Sequence, residues 1–305
     1  MDFLYFLEGL RTPWLDAIVA ALTHLGGETV FLVAALVVFW CVDKRQGYYL
    51  LSVGFMGTLV NQFLKITCRI PRPWVRDPSF TIVEAARAEA TGYSFPSGHS
   101  TSSVGTFGVI ATDARSNWVR AVSIALCVLI PLTRLYLGVH TPADVLVGSA
   151  ISLFFIVLLR PFVYKEDAKH MPILLAVMLA LSVAFVAYME FFPFPADVDE
   201  ANLQSALKNS YTLLGALIGM LVVYAVDQKR DFTTEGVWYA QVLKTVVGLI
   251  LVLAVKEGLK VPLDGLFGGH MAARAVRYCA IVLMAGVVWP MTFARFAKLG
   301  RKDET

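Results

Sequence analysis

The chain has few charged residues for its length. Lysine, arginine, aspartate and glutamate make up 16% of its 305 residues, whereas about a quarter is usual for soluble globular domains. Hydrophobic residues make up 57%, and the mean hydropathy is +0.67. This shortage of charge excludes an ordinary soluble domain, and a net charge of only +3 gives no reason to expect a nucleic-acid partner. The composition predicts a protein with several membrane spans.

Paired cysteines are also missing. The four cysteines, Cys41, Cys68, Cys127 and Cys279, are widely spaced and form no Cys-x-x-Cys pair. Neither a disulfide framework nor a zinc site is therefore predicted.

Long apolar runs are what the chain has in abundance. We count nine, each bounded by charged residues, glycine or proline. They cover residues 28–42, 47–66, 100–112, 118–137, 143–162, 171–193, 205–226, 236–257 and 275–294. The first and third are shorter than the roughly 20 residues that cross a bilayer, so we expect their helices to extend into polar residues. The prediction is an all-α integral membrane protein with about nine transmembrane helices.

The segment before the first run, residues 1–27, mixes aromatic side chains with charges. The charged residues include Asp2, Glu8, Arg11 and Asp16. The segment lacks the basic start and the cleavage site of a secretory signal. We predict one or two amphipathic helices that lie at the membrane interface.

Basic residues cluster in every second connection between the runs and at the C-terminus. The clusters are Lys44/Arg45, Arg115/Arg120, Lys165/Lys169, Lys229/Arg230 and Lys298/Arg301/Lys302. Because basic connections tend to stay in the cytoplasm, nine spans place the N-terminus outside and the C-terminus in the cytoplasm. The absence of a targeting signal favours a bacterial inner (plasma) membrane over the endoplasmic reticulum.

Three polar segments on the predicted outer side hold nearly all the residues suited to chemistry. The first, KITCRIPRPW at 65–74, carries Lys65, Arg69 and Arg72. If the second helix continues through this segment, Lys65 and Arg72 lie about two turns apart on one face. Cations at helix ends often only reach for lipid head groups. These cations, however, lie on the side that the positive-inside bias depletes, which favours a bound anion.

The second segment, YSFPSGHSTSS at 93–103, is predicted to open a helix. Pro96 disfavours helix immediately before it, and Ser97 is a suitable N-cap. The N–H groups from Ser97 to His99 would then form an anion site, with Gly98 permitting close approach. A histidine at a helix start is more often a capping or structural residue, but Pro-Ser-Gly-His at an outward helix start is a much rarer combination.

The third segment, TRLYLGVHTPADV at 133–145, is predicted to start another helix. Thr141 and Asp144 fit the N-cap and N3 positions of a capping box. His140 lies four residues before Asp144, so the carboxylate can reach the imidazole, and Arg134 ends the preceding span. The alternative is that Asp144 only caps the helix and His140 is an interfacial residue.

The residue types in these segments suit phosphoryl transfer. A phosphoryl group carries negative charge on its non-bridging oxygens, so fixed cations and N–H donors promote its transfer. The candidates for phosphate contacts are Lys65, Arg72, Ser97, Gly98 and Arg134. His140, oriented by Asp144, suits the nucleophile, and His99 suits the acid that protonates the departing oxygen. Since no acidic cluster accompanies them, we expect the cations to replace Mg²⁺, with no metal and no cofactor.

These residues resemble the type 2 phosphatidic acid phosphatase superfamily, which includes lipid phosphate phosphatases, undecaprenyl pyrophosphate phosphatases, glucose-6-phosphatase and vanadium haloperoxidases. The family motifs K-x6-R-P, P-S-G-H and S-R-x5-H-x3-D correspond here to KITCRIPRP, PSGH and TRLYLGVHTPAD. The resemblance implies a phosphohistidine intermediate at His140, supported by Asp144, with His99 as general acid. It implies phosphate contacts from the five candidates named above. Thr133 stands where the family usually has serine, but it keeps a hydroxyl group.

The resemblance also implies a division of the chain. A six-span phosphatase core would cover residues 28–193, between the interfacial helices at 1–27 and three additional transmembrane helices at 194–305. The nine-span count is similar to that of glucose-6-phosphatase.

Three functions are compatible with these features. The first is an integral-membrane, metal-independent phosphatase that acts on the external face on a lipid phosphate or pyrophosphate of the undecaprenyl pyrophosphate, phosphatidylglycerol phosphate or phosphatidate type. The second is a phosphatase or phosphotransferase for a soluble sugar phosphate. The third, a non-catalytic lipid or anion transporter, is disfavoured because transport does not require both histidines. The expected partners are a phosphorylated lipid and the bilayer, with no nucleic acid and no indication of an oligomeric state.

Cations within or beside the last apolar runs allow two interpretations. Lys256, Lys260, His270 and Arg274 are all predicted outside, where they would extend the anionic pocket. In the alternative interpretation such residues pair internally at helix ends, as Lys256 would with Glu257.

Overall fold

The computed structural model describes residues 1–165, 169–230 and 232–299. All regular secondary structure in these ranges is helical. The helices are α1 (Asp2–Glu8), α2 (Pro13–Thr23), α3 (Glu28–Val37), α4 (Lys44–Cys68), α5 (Pro73–Arg76), α6 (Gly98–Asp113), α7 (Asn117–Tyr136), α8 (Pro142–Tyr164), α9 (His170–Phe191), α10 (Glu200–Arg230), α11 (Trp238–Gly258), α12 (Lys260–Leu266), α13 (Ala272–Leu283) and α14 (Phe293–Lys298). The all-α prediction is confirmed.

Each of the nine apolar runs contains a helix. Within the described ranges, seven helical segments are long and apolar enough to cross a membrane. A bent pair, Pro13–Gly26 and Glu28–Val42, meets at 49° and brings the number to eight if it crosses as one span. Helix α6, from the third run, has only 16 residues, which is short for a bilayer. The count of nine spans stays a prediction.

The chain forms two compact units, and each is assembled from separate stretches. Unit 1 contains Met1–Ala34, Tyr49–Pro161 and Pro193–Ala206, and unit 2 contains Ala35–Tyr48, Phe162–Phe192 and the described residues from 207 on. All the residues predicted to act on phosphate belong to unit 1. The predicted division into residues 1–27, 28–193 and 194–305 groups membrane spans, so these compact units do not test it. It stays a prediction.

In unit 1 the N-terminal helices pack against the turn that precedes α8. Leu4 of α1 is buried in one apolar cluster with Phe80, Leu137 and Val139, and Val19 of α2 packs at its edge. Burial of such side chains contributes on the order of 2 kcal/mol each. The cluster therefore anchors the turn that leads directly to His140.

Arg11, between α1 and α2, stabilises the turn that precedes α8 through hydrogen bonds. Its Nε donates to the carbonyl of Tyr136 at 3.0 Å, and its Nη1 donates to the carbonyl of Thr81 at 2.8 Å. Gly138 has φ +78°, and a Cβ there would lie 2.6 Å from Arg11 Nη2. Only glycine permits this close, left-handed turn.

Helix α8 approaches the first turn of α6 at a glycine. A Cβ on Gly148 would lie 2.5 Å from the carbonyl oxygen of Ser97. Thr101 of α6 donates to the carbonyl of Gly148 at 3.1 Å, and Ser152 donates to the carbonyl of Thr101 at 2.5 Å. These contacts fix the start of α6 against α8, so the second and third motifs lie side by side.

Unit 2 has a buried polar tie of its own. Trp40 lies in a π-helical segment, Val38–Val42, and its Nε1 donates to the carbonyl of Ala285 at 2.8 Å. Ala285 lies in a second π-helical segment, Met284–Val288. Lys244 of α11 donates from Nζ to the carbonyl of Trp40 at 2.7 Å.

Candidate active site

The first motif is not a continuous helix. Helix α4 ends at Cys68, and Arg69 has φ +51°. Two prolines flank Arg72, and a residue that precedes proline disfavours helix. The condition under which Lys65 and Arg72 would share a helical face, a helix that continues through the segment, is therefore not met. Both side chains are nevertheless buried in unit 1.

Lys65 and Arg72 converge on the backbone just before the second motif. Lys65 Nζ donates to the carbonyl of Tyr93 at 2.6 Å. Arg72 donates to the carbonyls of Thr91 and Gly92 at 2.6 Å and 3.1 Å. Because these acceptors are neutral carbonyls, none of these hydrogen bonds offsets a positive charge on either side chain.

His140 is held between a cation and a carboxylate. Arg72 Nη1 lies 3.0 Å from His140 Nε2, and since a guanidinium only donates, Nε2 accepts and carries no proton. His140 Nδ1 lies 3.5 Å from Asp144 Oδ2, at the outer limit of a hydrogen bond. The same carboxylate oxygen accepts from Ser94 Oγ at 2.6 Å and from the N–H of Thr141 at 2.7 Å. The imidazole is therefore neutral, with its Nε2 lone pair on the side of the cations.

His140 and His99 are poor proton acceptors. Burial, followed by the charges of Arg72 and Lys65, holds the pKa of His140 well below its usual range. His99 lies in the first turn of α6, outside the seven spans, and burial together with the charge of Arg134 lowers its pKa to about 3. An acidic role for His99 therefore requires negative charge from elsewhere, which a bound phosphate supplies.

The start of α6 has the cap that the sequence predicts. Ser97 is the N-cap, and its Oγ accepts from the N–H of Ser100 at 3.3 Å. The N–H of Ser97 itself donates to the carbonyl of Asp144 at 2.9 Å, so this donor is already engaged. Gly98 and His99 occupy the first helical positions, where N–H groups have no intrahelical acceptor. Among the described residues, the N–H groups of this turn that remain available to an anion are therefore those of Gly98 and His99.

Arg134 is fully buried and only partly hydrogen bonded. Its Nη1 donates to Thr23 Oγ1 at 2.8 Å, whereas Nε and Nη2 have no partner among the described residues. Thr133 donates to the carbonyl of Ile130 at 2.6 Å and lies 3.0 Å from Thr23 Oγ1, so its hydroxyl serves the backbone and Thr23. Unpaired buried donors are costly, and a bound anion would satisfy them.

Three residues at the site carry no clear sequence signal. Thr23 supports Arg134 from α2, and Glu89 lies 3.2 Å from His99 Nε2. Ser94 holds the Asp144 carboxylate. Their sequence positions show no periodicity that would link them to the motifs.

Asn61 is a fourth missed residue, and it does leave a signal. Its Nδ2 donates to the carbonyl of Pro96 at 3.3 Å and to Thr101 Oγ1 at 3.1 Å. It is a buried amide within an apolar run, one helical turn before Lys65. That spacing marks the face of α4 that meets α6.

The structure brings together all eight residues that the sequence singles out. They are Lys65, Arg72, Ser97, Gly98, His99, Arg134, His140 and Asp144, and all lie in unit 1. Arg72 contacts His140, His140 lies beside Asp144, and the carbonyl of Asp144 accepts from Ser97. Their arrangement, with a deprotonated imidazole nitrogen facing three cations, suits attack on a bound phosphoryl group.

Two family models match the chain. Residues 45–168 match the model described as the PAP2 superfamily. Residues 211–302 match the model described as PAP2 superfamily phosphatase, transmembrane extension. No solved structure matches the chain significantly.

Several curated proteins are similar to this chain. Phosphatidylglycerophosphatase B of Bacillus subtilis is 28% identical over 168 residues, which cover 50% of this chain and 77% of that protein. Sphingosine-1-phosphate phosphatase 1 of Rattus norvegicus is 22% identical over 261 residues, 78% of this chain and 58% of that protein. Undecaprenyl-diphosphatase of Sulfolobus acidocaldarius is 27% identical over 137 residues, 44% of this chain and 64% of that protein. The chain thus spans less than two thirds of the last two.

Proposed function

The chain belongs to the PAP2 superfamily of phosphatases, and we propose that it hydrolyses the phosphate ester or diphosphate of a membrane lipid through a phosphohistidine intermediate at the external face. The observation that carries this proposal is Arg134, a fully buried arginine with two donor nitrogens that no described residue accepts from. The relatives support a lipid substrate, because each is named for a phosphorylated or diphosphorylated lipid.

In the first step, His140 Nε2 attacks phosphorus. The bond from phosphorus to the lipid oxygen breaks, and His99 gives a proton to that oxygen. Asp144 accepts the Nδ1 proton of His140 in a hydrogen bond and stabilises the positive charge that develops on the imidazole. Arg72, whose Nη1 lies 3.0 Å from this Nε2, donates instead to the phosphate oxygens, beside Arg134.

In the second step, water attacks the phosphorus of phosphohistidine. His99, now neutral, takes a proton from the water, and the bond from phosphorus to His140 Nε2 breaks. Inorganic phosphate leaves with His99 protonated again. The charges of Lys65, Arg72 and Arg134 stabilise the phosphoryl oxygens in both steps, which is the contribution that a metal ion makes in other phosphoryl-transfer enzymes.

The test is phosphate release by purified wild-type protein and by the His140→Ala variant in detergent. The substrates are undecaprenyl pyrophosphate, phosphatidate, phosphatidylglycerol phosphate, sphingosine phosphate and glucose 6-phosphate, with and without EDTA. We expect release from lipids by wild type, unaffected by EDTA, and a loss of more than about 10³-fold in the variant. Faster release from glucose 6-phosphate would indicate a sugar phosphatase, and release by His140→Ala would contradict the mechanism.

A further inference from the structure

Glu89 joins two histidines from distant parts of the sequence. Its Oε2 lies 3.2 Å from His99 Nε2, and its Oε1 lies 2.7 Å from His24 Nδ1. The exposed fraction of the side chain rises from 15% at His99 through 36% at Glu89 to 59% at His24. The three residues therefore form a row from the active site to solvent.

The contact with Glu89 decides which nitrogen of His99 is available for chemistry. An ionised carboxylate only accepts hydrogen bonds, so the His99 nitrogen beside it, Nε2, carries the proton. Nδ1 is then left for the substrate. His140 has the reverse arrangement, because Asp144 lies beside Nδ1, and Nε2, which carries no proton, faces Arg72. Each catalytic imidazole thus has its own carboxylate.

We propose that Glu89 positions His99 as the general acid and favours its protonated form, and that His24 fixes Glu89 in place. This inference rests on the proposed phosphatase function. In the first step His99 Nδ1–H gives its proton to the leaving oxygen as the bond from phosphorus to that oxygen breaks. In the second step Nδ1 takes a proton from water as the water oxygen bonds to phosphorus. His99 Nε2 keeps its proton throughout, so Glu89 is a positioning residue.

The charges around His99 show why such a partner is needed. Arg134 and Arg72 both disfavour the protonated imidazole, and the neighbouring His140 is neutral, whereas Glu89 favours the protonated form. Burial acts to raise the pKa of Glu89, but the hydrogen bond from His24 and the charge of His99 lower it overall. Glu89 therefore stays ionised at neutral pH, as the proposed role requires.

The end of α2 supports both sides of the site. Thr23 contacts Arg134 and the next residue, His24, contacts Glu89. Both lie before residue 45, where the match to the family model begins. The N-terminal helices therefore supply supporting residues that the three motifs do not contain.

The experiment compares wild type with Glu89→Gln, His24→Ala and His24→Gln, and uses Glu84→Gln as the matched control. Glu84 lies in the same loop, is exposed and pairs with Arg87 at 2.6 Å. Phosphate release is measured across pH with phosphatidate, whose alkoxide needs a proton, and with p-nitrophenyl phosphate, whose leaving group needs little protonation. Size-exclusion profiles and Tm values are recorded for every variant.

Loss of the carboxylate charge disfavours protonated His99, and one pKa unit is a tenfold change in the protonated fraction above the pKa. We expect Glu89→Gln to lower kcat for phosphatidate about tenfold at pH 7, to move the basic limb of the kcat profile to lower pH, and to affect p-nitrophenyl phosphate much less. His24→Ala should act in the same direction more weakly, and His24→Gln should recover activity because its amide can donate to Glu89. Glu84→Gln should match wild type.

Two results would overturn the inference. One is a Glu89→Gln profile that coincides with that of Glu84→Gln. The other is a loss that is equal for both substrates and leaves the basic limb in place, since that indicates a structural role only. A wild-type protein that releases no phosphate from any substrate would instead overturn the proposed function, which a change confined to the variants would leave intact.

Discussion

Two buried cations, one in each unit, have opposite surroundings. Arg134 in unit 1 and Lys244 in unit 2 both have an exposed fraction of 0%. Lys244 Nζ donates to the carbonyls of Trp40 and Thr234 at 2.7 Å and 3.4 Å, and lies 4.4 Å from the ring centroid of Phe293. Arg134 leaves Nε and Nη2 without a partner among the described residues.

The difference predicts a structural role for Lys244 and a ligand-binding role for Arg134. A buried charge is tolerated where carbonyl oxygens and an aromatic face satisfy it, as they do for Lys244. Where donors are left unpaired, the described residues alone do not compensate the cost of burial, and a bound anion would do so. Burial and charge alone would have ranked the two residues as equals, whereas their hydrogen bonds separate them.

The largest expected effect is on Arg134→Met. We expect phosphate release to fall by about 10²–10³-fold, the usual cost of removing a donor that stabilises transition-state charge. The Tm should stay unchanged or rise, because the substitution removes an incompletely paired buried charge. Initial rates and thermal melts in one detergent measure both quantities.

A ligand-binding control sharpens this prediction. Orthovanadate, a phosphate analogue, should stabilise wild type by about 2.7 kcal/mol at a hundredfold excess over its Kd. It should not stabilise Arg134→Met. Equal stabilisation of both proteins would show that Arg134 does not contact the anion.

For Lys244→Met we expect the opposite outcome. The carbonyl of Trp40 loses its donor, so stability should fall by about 1–3 kcal/mol, while kcat and KM of the folded fraction stay near the wild-type values. Lys244→Arg is the control that retains charge. A large fall in kcat without a fall in Tm would contradict the structural role of Lys244.

The pH dependence of the rate should show how the positive charge around His99 affects its protonation. In the free protein the pKa of His99 is lowered to about 3, so its protonated fraction falls as the pH rises above that value. A bound phosphate dianion favours protonated His99 and raises this pKa in the complex. We therefore expect the basic limb of kcat, which reports the complex, at higher pH than the basic limb of kcat/KM, which reports the free enzyme. Coincident basic limbs would contradict this role for His99.

The smallest expected effects are those of Lys256→Ala and Arg274→Ala in unit 2. Lys256 Nζ lies 3.7 Å from Glu257 Oε1, and Arg274 Nε donates to Thr212 Oγ1 at 2.8 Å. These contacts favour internal pairing over an extension of the anionic pocket. We expect KM and the ranking of lipid substrates to change less than about twofold, since exposed pairs contribute at most about 1 kcal/mol. A KM raised tenfold would revive the pocket interpretation.

The sequence predicts the local features of the fold well. Every apolar run contains a helix, Ser97 caps α6, and Thr141 and Asp144 form the capping contacts at the start of α8. These features depend on residues within one or two turns of each other, so their spacing can be recognised in the sequence. The break at Arg69 is the exception, because the prolines around Arg72 outweigh the helical pattern.

The motif residues and the helices that carry them can be identified from the chain alone, because periodicity, caps and fixed spacing are local. The tertiary structure alone decided the partners of those residues: Thr23 on Arg134, Glu89 on His99 and Asn61 on the turn at Pro96. Within the described part of the chain, it also leaves two nitrogens of Arg134 unpaired, whereas Lys244 donates to backbone carbonyls. Contacts between side chains distant in sequence depend on which helix faces meet, and the spacing within one helix does not say which other helix it meets.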